Sequence, residues 1–238
     1  DANLRLFAGW KRAFRGDRVD FDYHLWRDWI NDPGQMQLAR VIHADARALG
    51  RLGMNGFISC QAQRVAFPTG LHMHLLGRAL WDRRPSFERL ATEYFGDVFG
   101  ADGPAVRRYL DTLSALFDPS FLRGEKKDSA AREKARRRLM RIPGVVRDFG
   151  GTIASGCRSR DPVAAAAWRI LRHHAWYSAG LAGLCSAALD DKAVAMKNHD
   201  RFTRELRRRL PAIHHVFDTS QAKSMIPHIL TVVASSGR

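Results

Sequence analysis

A strand–helix–strand pattern in the first quarter of the sequence limits the folds that this chain can adopt. Residues 19–26 are rich in β-branched and aromatic side chains that alternate with polar ones, which predicts a strand. Residues 35–51 have the periodicity of an amphipathic helix, and residues 54–60 form a short, nearly continuous apolar run typical of a strand buried on both faces. This βαβ order forces the two strands to be parallel, with a right-handed crossover.

Two parallel strands alone cannot bury both faces of a sheet, so the pattern predicts that they belong to a larger sheet. The architecture that repeats βα units is the (β/α)8 barrel. Further helices are predicted for residues 3–14, before the first strand, and for residues 71–81, after the second. We therefore expect residues 1–83 to form the last two βα units of such a barrel, an α/β arrangement.

Beyond residue 83 the strand signals stop, and we expect residues 84–238 to form a helical domain. The tail near Phe217 is expected to return and pack on the body, and residues 142–156 are expected to be helical with a break at Gly150 and Gly151. Apolar periodicity predicts the main helices at residues 86–99, 104–117, 130–140, 162–189 and 192–210, the last ending before Pro211.

The formal net charge of +15 raises the possibility of an acidic partner. Much of the excess is arginine, concentrated in residues 132–141 and 201–209. The favoured interpretation is that these arginines lie on solvent-exposed helix faces, so we do not expect a nucleic-acid partner. A non-catalytic helical module that binds a polyanion through these two basic faces is kept as the alternative function.

Several classes of site are excluded by the residues that are present. The chain has only three cysteines and no close pair, which argues against a disulfide framework and predicts a reducing compartment, the cytoplasm. No run approaches the roughly 20 apolar residues of a membrane span, and no signal peptide is visible. No zinc-ligand spacing, phosphate-binding loop or GxSxG motif occurs, so we expect neither a metal nor a cofactor.

Candidate binding residues follow the first strand. Alternation places Asp22, His24 and Trp26 on one face, at the strand end where βα barrels build their active sites. Together they offer the aromatic surface and the hydrogen-bonding groups that a sugar ring requires. The alternative, which the sequence leaves open, is that Asp22 caps a local turn and Trp26 belongs to the core.

The second strand is followed by a polar segment. Gln61 and Gln63 share a face and have neutral amides that suit hydroxyl recognition, and Arg64 would suit a sugar that carries a carboxylate. A polar loop without a ligand is the open alternative. Asp20 and Asp22 are not favoured as a catalytic pair, because glycosidase carboxylates flank the scissile bond from different strands.

Three segments carry a family resemblance: FDYHLWRDW (21–29), GMNGFISCQA (53–62) and PTGLHMHLLGRALW (68–81). They resemble the C-terminal part of a bacterial family of uncharacterised proteins, which carry a conserved domain of unknown function and are similar to glycoside hydrolases of the β-hexosaminidase and α-glucuronidase type. The resemblance covers most of the chain. It implies a (β/α)8 barrel followed by a helical domain, with the two strands as the seventh and eighth. It also implies that the acid/base carboxylates lie near the fourth strand, outside this sequence.

The chain is therefore expected to be the C-terminal region of a carbohydrate-active, glycoside hydrolase-like protein, whose ligand is a carbohydrate. The helical half is expected to pack on the barrel and to mediate homodimerisation. Catalytic residues are not assigned, and the sequence leaves open whether the parent protein is an enzyme. The chain is expected to contribute a sugar-binding wall rather than the main catalytic carboxylates, and this wall consists of Asp22, His24, Trp26, Gln61, Gln63 and Arg64.

Overall fold

The computed structural model describes residues 2–26, 28–60 and 64–237, and helices account for most of them. The N-terminal part holds the strands β1 (Val19–Asp22) and β2 (Gly56–Ser59) and the helices α1 (Ala2–Ala13), α2 (Asp28–Asn31), α3 (Met36–Leu52) and α4 (Leu71–Trp81). Nine more α-helices follow in the described residues: α5 (Phe87–Phe99), α6 (Gly103–Phe117), α7 (Pro119–Leu122), α8 (Ser129–Leu139), α9 (Ile142–Asp148), α10 (Gly150–Gly156), α11 (Pro162–Asp190), α12 (Lys192–Ile213) and α13 (Thr219–Ser235).

The two strands pair in parallel, with α3 as the crossover between them. Their register runs from Val19 opposite Gly56 to Asp22 opposite Ser59. Within the described ranges this sheet has two strands of four residues each. The βαβ order and the parallel pairing are therefore as predicted from the local sequence, but each strand is shorter than predicted.

The expected fold class, the last two βα units of a (β/α)8 barrel with a helical domain behind them, is wrong, because the chain is mostly helical. In a barrel the crossover helices cover a ring of strands, whereas here α3 packs on α4 and α6, and α4 packs on α5. Helices therefore bury one another. The strand β2, expected to be covered on both faces, is covered on one, since Phe57 packs against the core whereas Ile58 is 51% exposed.

The 29-residue helix α11, about 44 Å long, is the centre of the C-terminal packing. Asp161 caps its first turn by accepting a hydrogen bond from Val163 N at 2.8 Å. Helices α5, α8, α9, α10, α12 and α13 contact it, and it contributes Trp168, Leu171, Leu181 and Leu184 to the core. Among the described helices none combines the length and the apolarity needed to cross a bilayer.

The end of the chain departs from the sequence prediction. Helix α12 runs on to Ile213, past Pro211, and α13 was not predicted. The connection between them packs as expected, since the fully buried Phe217 ring lies 4.9 Å from the Phe67 ring and 5.4 Å from the Trp29 ring between centroids. Phe217 thereby joins the C-terminal helices to the segments that follow β1 and β2.

Candidate functional site

The segments after β1 and β2 leave the sheet at the same edge, because the strands are parallel. Cys60 N, just after β2, donates a hydrogen bond to Asp22 O at 2.8 Å and extends the pairing by one residue. After β1 the chain turns, and Trp26 N donates to Tyr23 O at 2.9 Å. Leu25, in the middle of this turn, is fully buried and anchors it to the body.

His24 lies between two carboxylates at this edge. Its backbone N–H donates to Asp22 Oδ1 at 2.9 Å, its Nδ1 contacts Asp22 Oδ2, and its Nε2 lies 2.7 Å from Asp45 Oδ2 of α3. The oxygens of an ionised carboxylate accept hydrogen bonds, so the imidazole lies between two acceptors. The His24 and Asp22 side chains are only 19% and 11% exposed, so this arrangement fixes the imidazole orientation.

A pocket of about 190 Å³ opens beside His24, where the turn after β1 meets the first turn of α3 and the segment around α7. Its polar groups come from four separate parts of the chain. Arg123 Nη1, just after α7, lies 3.9 Å from Asp28 Oδ1 at the start of α2, so the two form a loose ion pair. The lining consists of His24, Asp28, Asp32, Gln37 and Arg123 with Leu38, Val41 and Pro119.

One of the residues that line this pocket, Asp32, carries a buried carboxyl group. Asp32 accepts a hydrogen bond from Ser114 Oγ of α6 at 2.5 Å and from Leu38 N of α3 at 2.9 Å. Ser114 Oγ in turn accepts from Met36 N at 3.0 Å. Burial raises the pKa of the Asp32 carboxyl above its usual range, against the opposing effect of these hydrogen bonds. Asp32 and Ser114 therefore satisfy two of the free N–H groups at the start of α3.

The segment between Asp32 and α3 is held in place by other elements. Gln35 has a left-handed backbone, with φ of 57°, and its Nε2 donates to Phe67 O at 2.5 Å. His174 Nε2 of α11 lies 2.7 Å from Pro33 O. Burial lowers the pKa of His174 to about 4, so its ring is neutral at pH 7 and donates from Nε2 to this carbonyl. Contacts with Phe67 and with α11 therefore hold the segment that connects Asp32 to α3.

The residues predicted from the sequence are only partly brought together. Asp22 and His24 are in contact, and Asp22 also caps the local turn, which was the open alternative. Strand β1 ends at Asp22, so His24 and the half-buried Trp26 lie in the turn, and Trp26 does not line the pocket. Arg64 is exposed and does not line it either, and Gln61 and Gln63 lie outside the described residues.

Sequence reasoning missed Asp28, Asp32, Gln37, Asp45 and Arg123. Their separation along the chain explains this, since no local pattern connects Arg123 with Asp28 or Asp45 with His24. The only available signal was the turn sequence Asn31–Gly34, which suits a helix start and predicts an Asp close to the first turn of α3.

The chemistry of this site is hydrogen bonding. In the part of the chain that the structure describes, no group of three or more His, Cys, Asp or Glu side chains is placed to hold a metal ion. The chain matches no protein-family model, no curated protein and no solved structure. Function must therefore be inferred from the geometry of the pocket and its surroundings.

Proposed function

We propose that this chain binds a carbohydrate in the pocket bounded by His24, Asp28, Gln37 and Arg123. The observation that carries the proposal is the mixture of groups that converge there. The Asp28 carboxylate accepts hydrogen bonds, the Arg123 guanidinium donates them, and the Gln37 amide does both. Each sugar hydroxyl is both a donor and an acceptor, so a polyhydroxylated ring can use all three kinds of group.

The shape of the pocket supports the same proposal. Leu38, Val41 and Pro119 provide an apolar surface beside the polar groups, and the C–H face of a pyranose packs on such surfaces. Its volume of about 190 Å³ is below the ~300–1,000 Å³ of typical ligand pockets. We therefore propose that one sugar residue enters in part, with the rest of the ligand in solvent.

The proposal concerns binding and not hydrolysis. Asp32 is committed to Ser114 and to the first turn of α3, so the carboxylate in the pocket that can meet a ligand is Asp28, which is only loosely paired with Arg123. A sugar ligand is also what the proposed resemblance to β-hexosaminidase-type and α-glucuronidase-type hydrolases implies. The free cysteines Cys60, Cys157 and Cys185 support the expectation of a reducing compartment, the cytoplasm.

The test is ligand-observed saturation-transfer NMR with N-acetylglucosamine and with glucuronic acid. We expect weak binding that Arg123→Gln and His24→Gln both reduce, and a larger effect of Arg123→Gln on glucuronic acid because a guanidinium pairs with a carboxylate. The control is Arg158→Gln, which removes an exposed arginine outside the pocket. The proposal is refuted if neither sugar receives saturation from the protein at high millimolar concentration, or if Arg158→Gln reduces the binding as much as Arg123→Gln does.

A second candidate, polyanion binding, is favoured by one observation on α12. The basic residues of α8 are largely engaged, since Arg136, Arg137 and Arg138 pair with carboxylates. On α12, by contrast, Arg201 and Arg204 have no carboxylate within 4 Å among the described residues. We propose that any polyanion contact uses α12 rather than α8.

Heparin affinity at low salt tests this second candidate. Counterion release predicts that retention falls steeply with salt, and that Arg201→Gln with Arg204→Gln lowers the salt dependence. Arg137→Gln on α8 serves as the control, because its charge is already paired with Glu133. Lack of retention at low salt would exclude the candidate.

A further inference from the structure

A second cavity, of about 330 Å³, lies between α12 and α13, in a part of the fold separate from the sugar pocket. Its interior is apolar, with Leu206 and Leu210 from α12 and Ala222 and Ile226 from α13. The volume falls within the ~300–1,000 Å³ of pockets that take small organic molecules. The cavity is therefore large enough for a compact ligand of about ten non-hydrogen atoms.

The rim of the cavity is cationic on both sides. Arg207 of α12 and Lys223 of α13 line it from opposite helices, and in the described residues neither has a carboxylate within 4 Å. Asp218 caps the start of α13 by accepting from Gln221 N at 3.0 Å, so the helix end is already satisfied by a carboxylate. The attraction for an anion therefore comes from the two side chains and not from the helix terminus.

Polar side chains without a carboxylate also line the cavity. The His199 ring, which is largely buried, lies with its Nε2 3.3 Å from Thr203 Oγ1, and both residues line the cavity. A head group bound in the cavity can meet these hydrogen-bonding partners as well as the two cations. The combination of cationic, hydrogen-bonding and apolar side chains in one lining matches a molecule with an acidic end and a hydrocarbon body.

We propose that the cavity between α12 and α13 binds a small amphipathic carboxylate, with its head group at Arg207 and Lys223 and its apolar body against Leu206, Leu210 and Ile226. A buried hydrocarbon body gains the free energy of leaving water. Two unpaired cations favour a carboxylate over an uncharged head group of the same size. This inference is independent of sugar binding, because none of these residues lines the sugar pocket.

The experiment is a titration of the full chain with octanoate, followed by methyl chemical shifts and by calorimetry. Octan-1-ol is the matched uncharged probe, and acetate is the matched carboxylate without the long hydrocarbon body. We expect octanoate to bind with a dissociation constant on the order of 100 µM and to shift the methyl signals of Leu206, Leu210 and Ile226. Octan-1-ol should bind roughly tenfold more weakly, and acetate at the same concentration should leave these methyl signals unchanged.

Two variants and one control locate the head group. Arg207→Gln and Lys223→Gln should each weaken octanoate binding by roughly three- to tenfold. Arg208→Gln removes an exposed arginine of the same helix that lies outside the cavity and pairs with Glu205, and it should leave octanoate binding unchanged. Octanoate shifts confined to other apolar surfaces, equal affinity for octan-1-ol, or an equal loss in Arg208→Gln would each overturn the proposal.

Discussion

The Ser114 hydroxyl connects α6 to the start of α3, and its removal should cost more than most single substitutions. It donates to Asp32 Oδ1 at 2.5 Å and accepts from Met36 N at 3.0 Å, in a site from which solvent is excluded. Losing a hydrogen bond to a carboxylate costs about 1.5–3 kcal/mol, and leaving a buried N–H without a partner costs about 1–3 kcal/mol. Because one hydroxyl makes both contacts the two costs are not fully additive, and we predict a loss of about 3–4 kcal/mol for Ser114→Ala.

Urea unfolding monitored by far-UV circular dichroism measures this loss. We expect the midpoint to fall while the slope m stays unchanged, since the surface exposed on unfolding does not change. Thr112→Ala is the matched control on the same helix. The Thr112 hydroxyl donates to Arg108 O at 2.8 Å on the exposed side of α6, so its loss should change the stability by less than about 0.5 kcal/mol.

A double-mutant cycle with Asp32→Asn separates the Asp32–Ser114 interaction from the rest of the loss. Residues in direct contact within one hydrogen-bond network couple by about 0.5–3 kcal/mol. We expect a coupling energy in the upper half of that range, because both side chains are buried. A loss below about 1 kcal/mol for Ser114→Ala, or a coupling energy near zero, would refute this account of how α3 begins.

Two further predictions concern the same buried network. In Gly34→Ala the new Cβ would lie 2.6 Å from Ser114 N and closer still to Leu110 O, so we expect the free energy of unfolding in urea to fall by about 3 kcal/mol or more. Gly96 in α5 has open space around it, so Gly96→Ala should raise the free energy of unfolding by about 0.5–1 kcal/mol. A cost below about 1 kcal/mol for Gly34→Ala would contradict the close packing at this glycine. Burial lowers the pKa of His174 from 6.5 to about 4, so its contribution to stability is complete above pH 6.5 and falls by up to roughly 3 kcal/mol as the pH drops towards 4. Unfolding at a series of pH values should show a flatter decline for His174→Asn, and an unchanged slope would contradict this assignment.

Local sequence signals predicted the elements whose boundaries are encoded nearby. Helix α3 ends where expected, because Gly53 adopts the left-handed conformation, with φ of 78°, that terminates a helix. The amphipathic periodicity of residues 35–51 also agrees with the buried face of this helix, which holds Met36, Leu38, Ile42, Ala46 and Leu49, whereas Val41 is 48% exposed. Helix α13 was missed because Pro227 and a serine- and threonine-rich composition obscure its apolar periodicity.

The barrel prediction failed for a different physical reason. A short apolar run indicates a strand, but it carries no information about how many other strands will pair with it or what will cover its faces. In this fold the apolar stripes of α3 and α4 are buried against other helices, so the strand pair stays small and Ile58 stays exposed. The candidate site shows the same limit, because Arg123 and Asp45 reach it only through tertiary packing.

Substitutions in the buried Asp32–Ser114 network and substitutions at the rim of the pocket should change stability and sugar affinity differently. Asp32 and Ser114 position the first turn of α3, and with it Gln37 and Leu38, so a change at Ser114 alters both the stability and the pocket. Arg123 lies at the rim, is partly exposed, and pairs with Glu125 at 2.6 Å, so its replacement should leave the free energy of unfolding within about 1 kcal/mol of the original value. A sugar affinity that falls in Arg123→Gln at constant stability would therefore reflect a lost ligand contact. A fall seen only in Ser114→Ala would mean that the pocket depends on the position of α3 and that Arg123 makes no contact with the ligand.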